Sequence, residues 1–193
     1  MQVILLDADG VVLHKGEYFS DKYAREYQVP VESILEFFRG PYLECQSGQA
    51  DLKEVIVPYL EKWGWASGVE EFLNYWFSSD VVINSSIRDL VSRFRGKGIK
   101  LYLASNNEKY RAAKIVELLQ AEKLLDGYYF SSDLKVRKQE PAFFEKILLD
   151  LEVSPAEVTF VDNDQKNVDS AASVGINAYL YSEDLINSLV AKL

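Results

Sequence analysis

Cysteine is nearly absent from this chain: Cys45 is the only one in 193 residues, so no intramolecular disulfide and no cysteine-based metal site can form. Cys45 reads instead as a small buried apolar side chain. Positive charge is scarce as well. Lys and Arg number 21 against 30 Asp and Glu, a net charge of −9, and no basic tract of five or more residues occurs. Such a surface repels a polyphosphate backbone, which argues against a nucleic-acid polymer as partner. Long hydrophobic runs are missing too. Val3 to Leu6 is too short for a signal peptide and is interrupted at once by Asp7, and no segment approaches membrane-spanning length. A reducing cytoplasm is the expected location, with no membrane partner.

The chain does have a composition of 48% apolar and 13% aromatic residues, enough to bury a substantial core and to exclude disorder. Its second half alternates strand-like and helix-like segments, the signature of an α/β fold with a doubly wound parallel sheet. Predicted strands are Lys100 to Ala104, Tyr128 to Ser131, Val158 to Val161 and Ile176 to Tyr181. Predicted helices are Ser85 to Gly96, Glu108 to Leu119, Ala142 to Leu151, Asp164 to Val174 and Glu183 to Lys192. In the second of these, Ala112, Ala113, Val116 and Leu119 are expected to face inward. Ser154-Pro155-Ala156-Glu157 has the residues of a capping box with Pro at the first helical position.

Residues 16–84 break the alternation. Four candidate helices, Ser20 to Tyr27, Val31 to Phe38, Leu52 to Trp63 and Val69 to Phe77, follow one another with little that resembles a strand. This pattern predicts a small all-helical cap (residues 16–84) inserted into a core made of residues 1–15 and 85–193. Its aromatic cluster is expected to be the cap's own core, with a minority of rings available to a substrate pocket.

The first strand, Val3-Ile4-Leu5-Leu6, is short and continuously apolar, as a strand covered on both faces should be, and it runs into Asp7-Ala8-Asp9-Gly10. Ligands of open α/β sheets sit beyond the carboxyl ends of the strands, so both carboxylates stand where chemistry is expected. With the backbone extended to position 9, both point to one side. One can attack as a nucleophile, while the other, its pKa raised by burial, can pass a proton to a leaving group. Asp-x-Asp-Gly is also ordinary turn chemistry. Three further signals fall at later strand ends. Ser105-Asn106-Asn107 precedes a helix whose free amides suit an anion, although a plain helix cap has the same residues. Lys138 in Arg137-Lys138-Gln139-Glu140-Pro141 can neutralise a phosphate and a carboxylate together, or be a solvated charge. Asp162-Asn163-Asp164-Gln165-Lys166-Asn167 supplies hard oxygen atoms suited to Mg²⁺. His14, the only histidine, reads as a loop residue with a pocket or hinge role as the alternative, and Arg39 as a helix-end charge.

Taken in order, these four stretches resemble the motifs of the haloacid dehalogenase superfamily, especially its phosphatase-like members with a helical cap after the first strand. The resemblance covers the whole chain and implies a Rossmann-like core. It implies that Asp7 becomes an aspartyl phosphate, that Asp9 protonates the leaving alcohol and activates water, and that Ser105 and Asn106 contact the phosphoryl group. Lys138 would balance charge. Mg²⁺ would be held by Asp7, the Asp9 carbonyl and a residue of the fourth stretch. There the sequence departs from the family, because Asn163 stands where an Asp is usual; Asn163, Asp162 or Asp164 remain the candidates. The function implied is a Mg²⁺-dependent phosphatase of a small phosphorylated metabolite, acting as a monomer or homodimer. A metal-independent haloacid dehalogenase and a catalytically impaired phospho-ligand-binding regulatory protein are the alternatives, both compatible with Asn163.

Overall fold

A computed structural model describes residues 2–14, 16–78, 82–94, 97–121 and 123–192. The helix end predicted at Gly96 and the core boundary predicted at residue 15 lie outside the described residues. Five strands, β1 (Val3–Leu6), β2 (Lys100–Ser105), β3 (Gly127–Phe130), β4 (Val158–Asp162) and β5 (Asn177–Leu180), form one sheet in the order β3-β2-β1-β4-β5. Every neighbouring pair is parallel. The chain is therefore an α/β protein with a Rossmann-like sheet, and β1 lies at its centre.

The apolar run of β1 is explained by what covers it. Ile4 and Leu6 face a cluster built from α7 (Ser85–Phe94), α8 (Lys109–Ala121) and α12 (Glu183–Lys192). Val3 and Leu5 face the opposite cluster, built from α10 (Pro141–Leu151) and α11 (Gln165–Ser173). All four are at most 1% exposed, and each such side chain contributes about 1.5–3 kcal/mol by burial. A 3₁₀ turn, Pro155–Glu157, precedes β4, with the capping box between Ser154 and Glu157 formed.

Between β1 and α7 the described residues form six helices: α1 (Phe19–Tyr27), α2 (Val31–Arg39), α3 (Tyr42–Gln46), α4 (Leu52–Val55), α5 (Val57–Lys62) and α6 (Val69–Ser78). They share a separate aromatic-rich cluster centred on Tyr23, Phe37, Trp63 and Phe72. Two details differ from expectation. The helix predicted over Leu52 to Trp63 is divided at Ile56, because Pro58 has no N–H to continue the ladder and sits in the first turn of a new helix. Short helices α3 and α9 (Ser131–Leu134) have too few residues for periodicity to reveal them. No helix among the described residues is long and apolar enough to cross a membrane.

The helical segment is anchored to the sheet domain by specific hydrogen bonds. Asp51, the N-cap of α4, accepts from Tyr110 Oη at 2.9 Å and from Lys109 Nζ at 2.6 Å. Gln46 donates Nε2 to the Asn106 carbonyl at 3.2 Å, and its own carbonyl accepts from Ser131 Oγ at 2.6 Å. Gly48, at φ +63°, approaches so closely that a Cβ there would lie 2.3 Å from the Ser132 carbonyl. Only glycine fits.

Candidate active site

The carboxyl ends of β1, β2 and β4 meet the α9–α10 loop at the floor of a cavity of about 590 Å³, roofed by the helical segment. Asp7, Asp9, Ser105, Asn106, Lys138 and Asn163 all line it. The stretches that are distant in sequence therefore converge.

Lys138 organises the floor. It is 2% exposed, and its ammonium pairs with Asp7 Oδ1 and, at 2.7 Å, with Asp162 Oδ2. Its main-chain support comes from the residue after β2, where Asn106 Oδ1 accepts from the Lys138 backbone N–H at 2.9 Å while Asn106 Nδ2 donates to Gln139 Oε1 at 3.1 Å. Asn106 thus spends both ends of its side chain holding the lysine loop. Asp162 is held by further bonds: Oδ2 also accepts from Asn167 Nδ2 at 3.0 Å, and Oδ1 accepts from the Asp164 N–H at 2.7 Å. It is a counter-charge for Lys138, and each of its oxygens accepts at least one hydrogen bond. Burial pushes the Asp7 carboxyl up to about 7; Lys138 opposes that rise and Asp162 adds to it. Burial disfavours the Lys138 ammonium, but Asp7 and Asp162 outweigh it, so its pKa is raised and it stays cationic.

The backbone does not stay extended to position 9. Asp7 N–H still reaches the Val161 carbonyl at 3.0 Å, but the chain then turns, with Val12 N–H on the Asp7 carbonyl at 3.1 Å and Gly10 at φ +90°. The two carboxylates consequently diverge. Asp7 enters the buried floor, while Asp9 remains half exposed and pairs with Arg111 Nη2 from α8. Of the two carboxylates, Asp7 is the buried one. Asn163 donates Nδ2 to the Asp9 main-chain carbonyl at 3.0 Å, so these two candidate ligands are adjacent. Asp164 caps α11 by accepting from Lys166 N–H at 3.0 Å.

Ser105 is 1% exposed and its Oγ accepts from Asn107 Nδ2 at 2.8 Å, which leaves its hydroxyl proton to donate elsewhere. The free helix amides expected beside it are not all free. Glu108, itself buried, accepts from Tyr110 N–H at 2.8 Å and Arg111 N–H at 2.6 Å. His14 lies at the cavity wall, exposed, and Arg39 pairs with Glu32 at 3.3 Å away from it. Cys45 is buried, and its thiol is pushed up to about 11 by burial.

Arg111 is the residue that reading the sequence missed. It is 8% exposed and in helical phase with buried Ile115, whereas Ala113, expected inward, is exposed. A guanidinium four residues before a buried isoleucine was the available signal.

The chain belongs to the haloacid dehalogenase-like hydrolases, whose family model matches residues 1–175. A phosphorylated carbohydrates phosphatase of Thermotoga maritima is 24% identical over 186 residues, covering 91% of this chain and 82% of that protein. A sesquiterpene phosphatase of Aspergillus oryzae is 28% identical over 93 residues, 48% of this chain and 47% of the other. A haloacid dehalogenase-family enzyme from Bacteroides thetaiotaomicron, solved in complex with magnesium and inorganic phosphate, superposes with a TM-score of 0.79 at 22% identity over 95% of each chain.

Proposed function

From that membership we infer that the chain is a Mg²⁺-dependent phosphatase of a small phosphorylated metabolite, working through an aspartyl phosphate on Asp7. The observation that carries the reading is the buried Lys138 ammonium between Asp7 and Asp162, at the floor of a cavity roofed by the helical segment. The phosphatases among its relatives support it, as does the magnesium and phosphate complex of a structural neighbour.

The residues divide the work as follows. An Asp7 oxygen attacks phosphorus and the phosphorus–alkoxy bond breaks; Asp9 gives the departing oxygen its proton. Asp9 then takes a proton from water as that water attacks phosphorus, the bond to Asp7 breaks, and phosphate leaves. Lys138 and the Ser105 hydroxyl face the phosphoryl oxygens, and the transition state is stabilised by positioning and charge. Arg111 fixes the direction of the Asp9 carboxylate. Asn106 acts mainly through the lysine loop that it holds.

The donor set suits a hard divalent cation: the Asp7 carboxylate, the Asp9 carbonyl and, after rotation of its amide, the Asn163 oxygen. These three would hold Mg²⁺, which supplies positive charge opposite the phosphoryl oxygens. Asp162 is left out of the set because it is fully buried against Lys138 and does not line the cavity. The division into a core (1–15 and 85–193) and a cap (16–84), a cytoplasmic location and a monomeric or homodimeric state belong to the same proposal.

Hydrolysis of p-nitrophenyl phosphate with and without Mg²⁺ tests it. Metal-dependent turnover is expected, with none in Asp7→Asn and a hydroxylamine-sensitive phosphoenzyme in the wild type. Equal turnover by wild type and Asp7→Asn overturns it. Asn163 favours the binding-protein alternative and is compatible with the dehalogenase, against which Asp9 argues; phosphate binding without turnover, or chloride release from a haloacid without metal, is their respective signature.

A further inference from the structure

The cavity has two chemically different halves. The core side carries all of its basic groups among the described residues: Lys138, Arg111 paired with Asp9, and His14 and Arg137. The side contributed by residues 16–78 is faced by Phe19, Leu35, Phe38, Tyr42, Leu43 and Trp76. The rings form a continuous wall. Phe19 stacks on Trp76 with centroids 5.2 Å apart, and Phe38 and Tyr42 meet the same indole at 5.1 and 5.5 Å. Leu35 and Phe38, one turn apart on α2, are only partly buried and border the open space.

The polar side chains on this wall are Glu17, Tyr18, Ser20, Tyr42 and Gln46. Gln46 spends its amide nitrogen on the Asn106 carbonyl. Among the described residues the cap places no Lys or Arg at the cavity, and its one charged side chain there is the carboxylate of Glu17, bound to Arg25. A leaving group with several hydroxyls would lose water against Leu35, Phe38 and Leu43, none of which can hydrogen-bond to it. One with a second phosphate would meet a carboxylate and no cation.

We propose, resting on the phosphatase reading, that the alcohol released is uncharged and predominantly apolar, and that Leu35 and Phe38 select it. The phosphate goes to the Lys138 floor and the hydrocarbon body packs on the ring wall. A cavity of about 590 Å³ has room for a phosphate and roughly one or two rings.

The test is a matched pair. Cyclohexylmethyl phosphate and glucose 6-phosphate both place a phosphorylated CH₂ on a six-membered ring and differ in the ring oxygen and hydroxyls. With the full chain and Mg²⁺, kcat/KM is expected to favour the cyclohexyl ester by about tenfold or more. In Leu35→Gln and Phe38→Gln that preference is expected to fall about fivefold, with thermal melts confirming the fold; the wild-type ratio decides even where a variant does not fold. A preference for glucose 6-phosphate or for fructose 1,6-bisphosphate overturns the proposal. So does an unchanged ratio in both folded variants. Failure to hydrolyse any of these esters, p-nitrophenyl phosphate included, instead removes the phosphatase reading beneath it.

Discussion

Replacing Asp7 by Asn removes a carboxyl group that the fold holds in a costly place. Asp7 is 6% exposed and shares one ammonium with Asp162, so the buried cluster has two acids for one base. Its pKa rises from 3.8 to about 7, chiefly by burial. A carboxyl whose folded-state pKa exceeds its unfolded value contributes stability that is fully present below about pH 4 and is lost as pH rises through about 7. At about 1.4 kcal/mol per pKa unit, the loss has a ceiling of about 4 kcal/mol. Asn does not titrate. The stability of Asp7→Asn relative to wild type should therefore increase between pH 4 and 7 and level off above, with titrations remote from the Asp7–Lys138–Asp162 cluster cancelling in the difference. Urea unfolding of both proteins in EDTA at pH 5, 6, 7 and 8 measures this directly. A difference that stays constant across that range would refute the reasoning, and one that shrinks as pH rises would reverse its sign.

Lys138→Ala leaves Asp7 and Asp162 buried without a counter-charge; a cost of about 3–5 kcal/mol is expected, larger at pH 8 than at pH 6, read from urea melts. Arg111→Ala releases the Asp9 carboxylate from its orienting partner, so kcat on p-nitrophenyl phosphate should fall about 10- to 100-fold while KM changes little. Partial recovery in Arg111→Lys would distinguish positioning from a folding defect; an unchanged kcat in Arg111→Ala would rule out the role. Asn163→Asp adds a negative oxygen ligand beside the Asp9 carbonyl and should tighten Mg²⁺ binding about tenfold by calorimetric titration. An unchanged dissociation constant would mean that residue 163 does not meet the ion.

The layered architecture could be read from residue order. Val3 to Leu6 must be covered on both faces because the run has no polar alternation, and the later strands and helices follow from period and turn residues. Asp7, Ser105 and the Asp162–Asn167 stretch could be identified because each lies at a strand end, where such sheets bind ligands, and Lys138 because it stands just before a helix in an acidic chain. The division of the helix at Ile56 was visible in Pro58 but was outweighed by the apolar period around it. What no one-dimensional pattern carries is which charges meet. The turn at Gly10 sends Asp7 down to Lys138 and Asp9 out to Arg111, and the neighbours decide which carboxyl is buried. Hydrophobic period reports which face of an element is inward, a property of each segment alone. Ion pairing, burial of a carboxylate and the chemistry of a cavity wall depend on side chains brought together from distant segments, and only the folded chain brings them together.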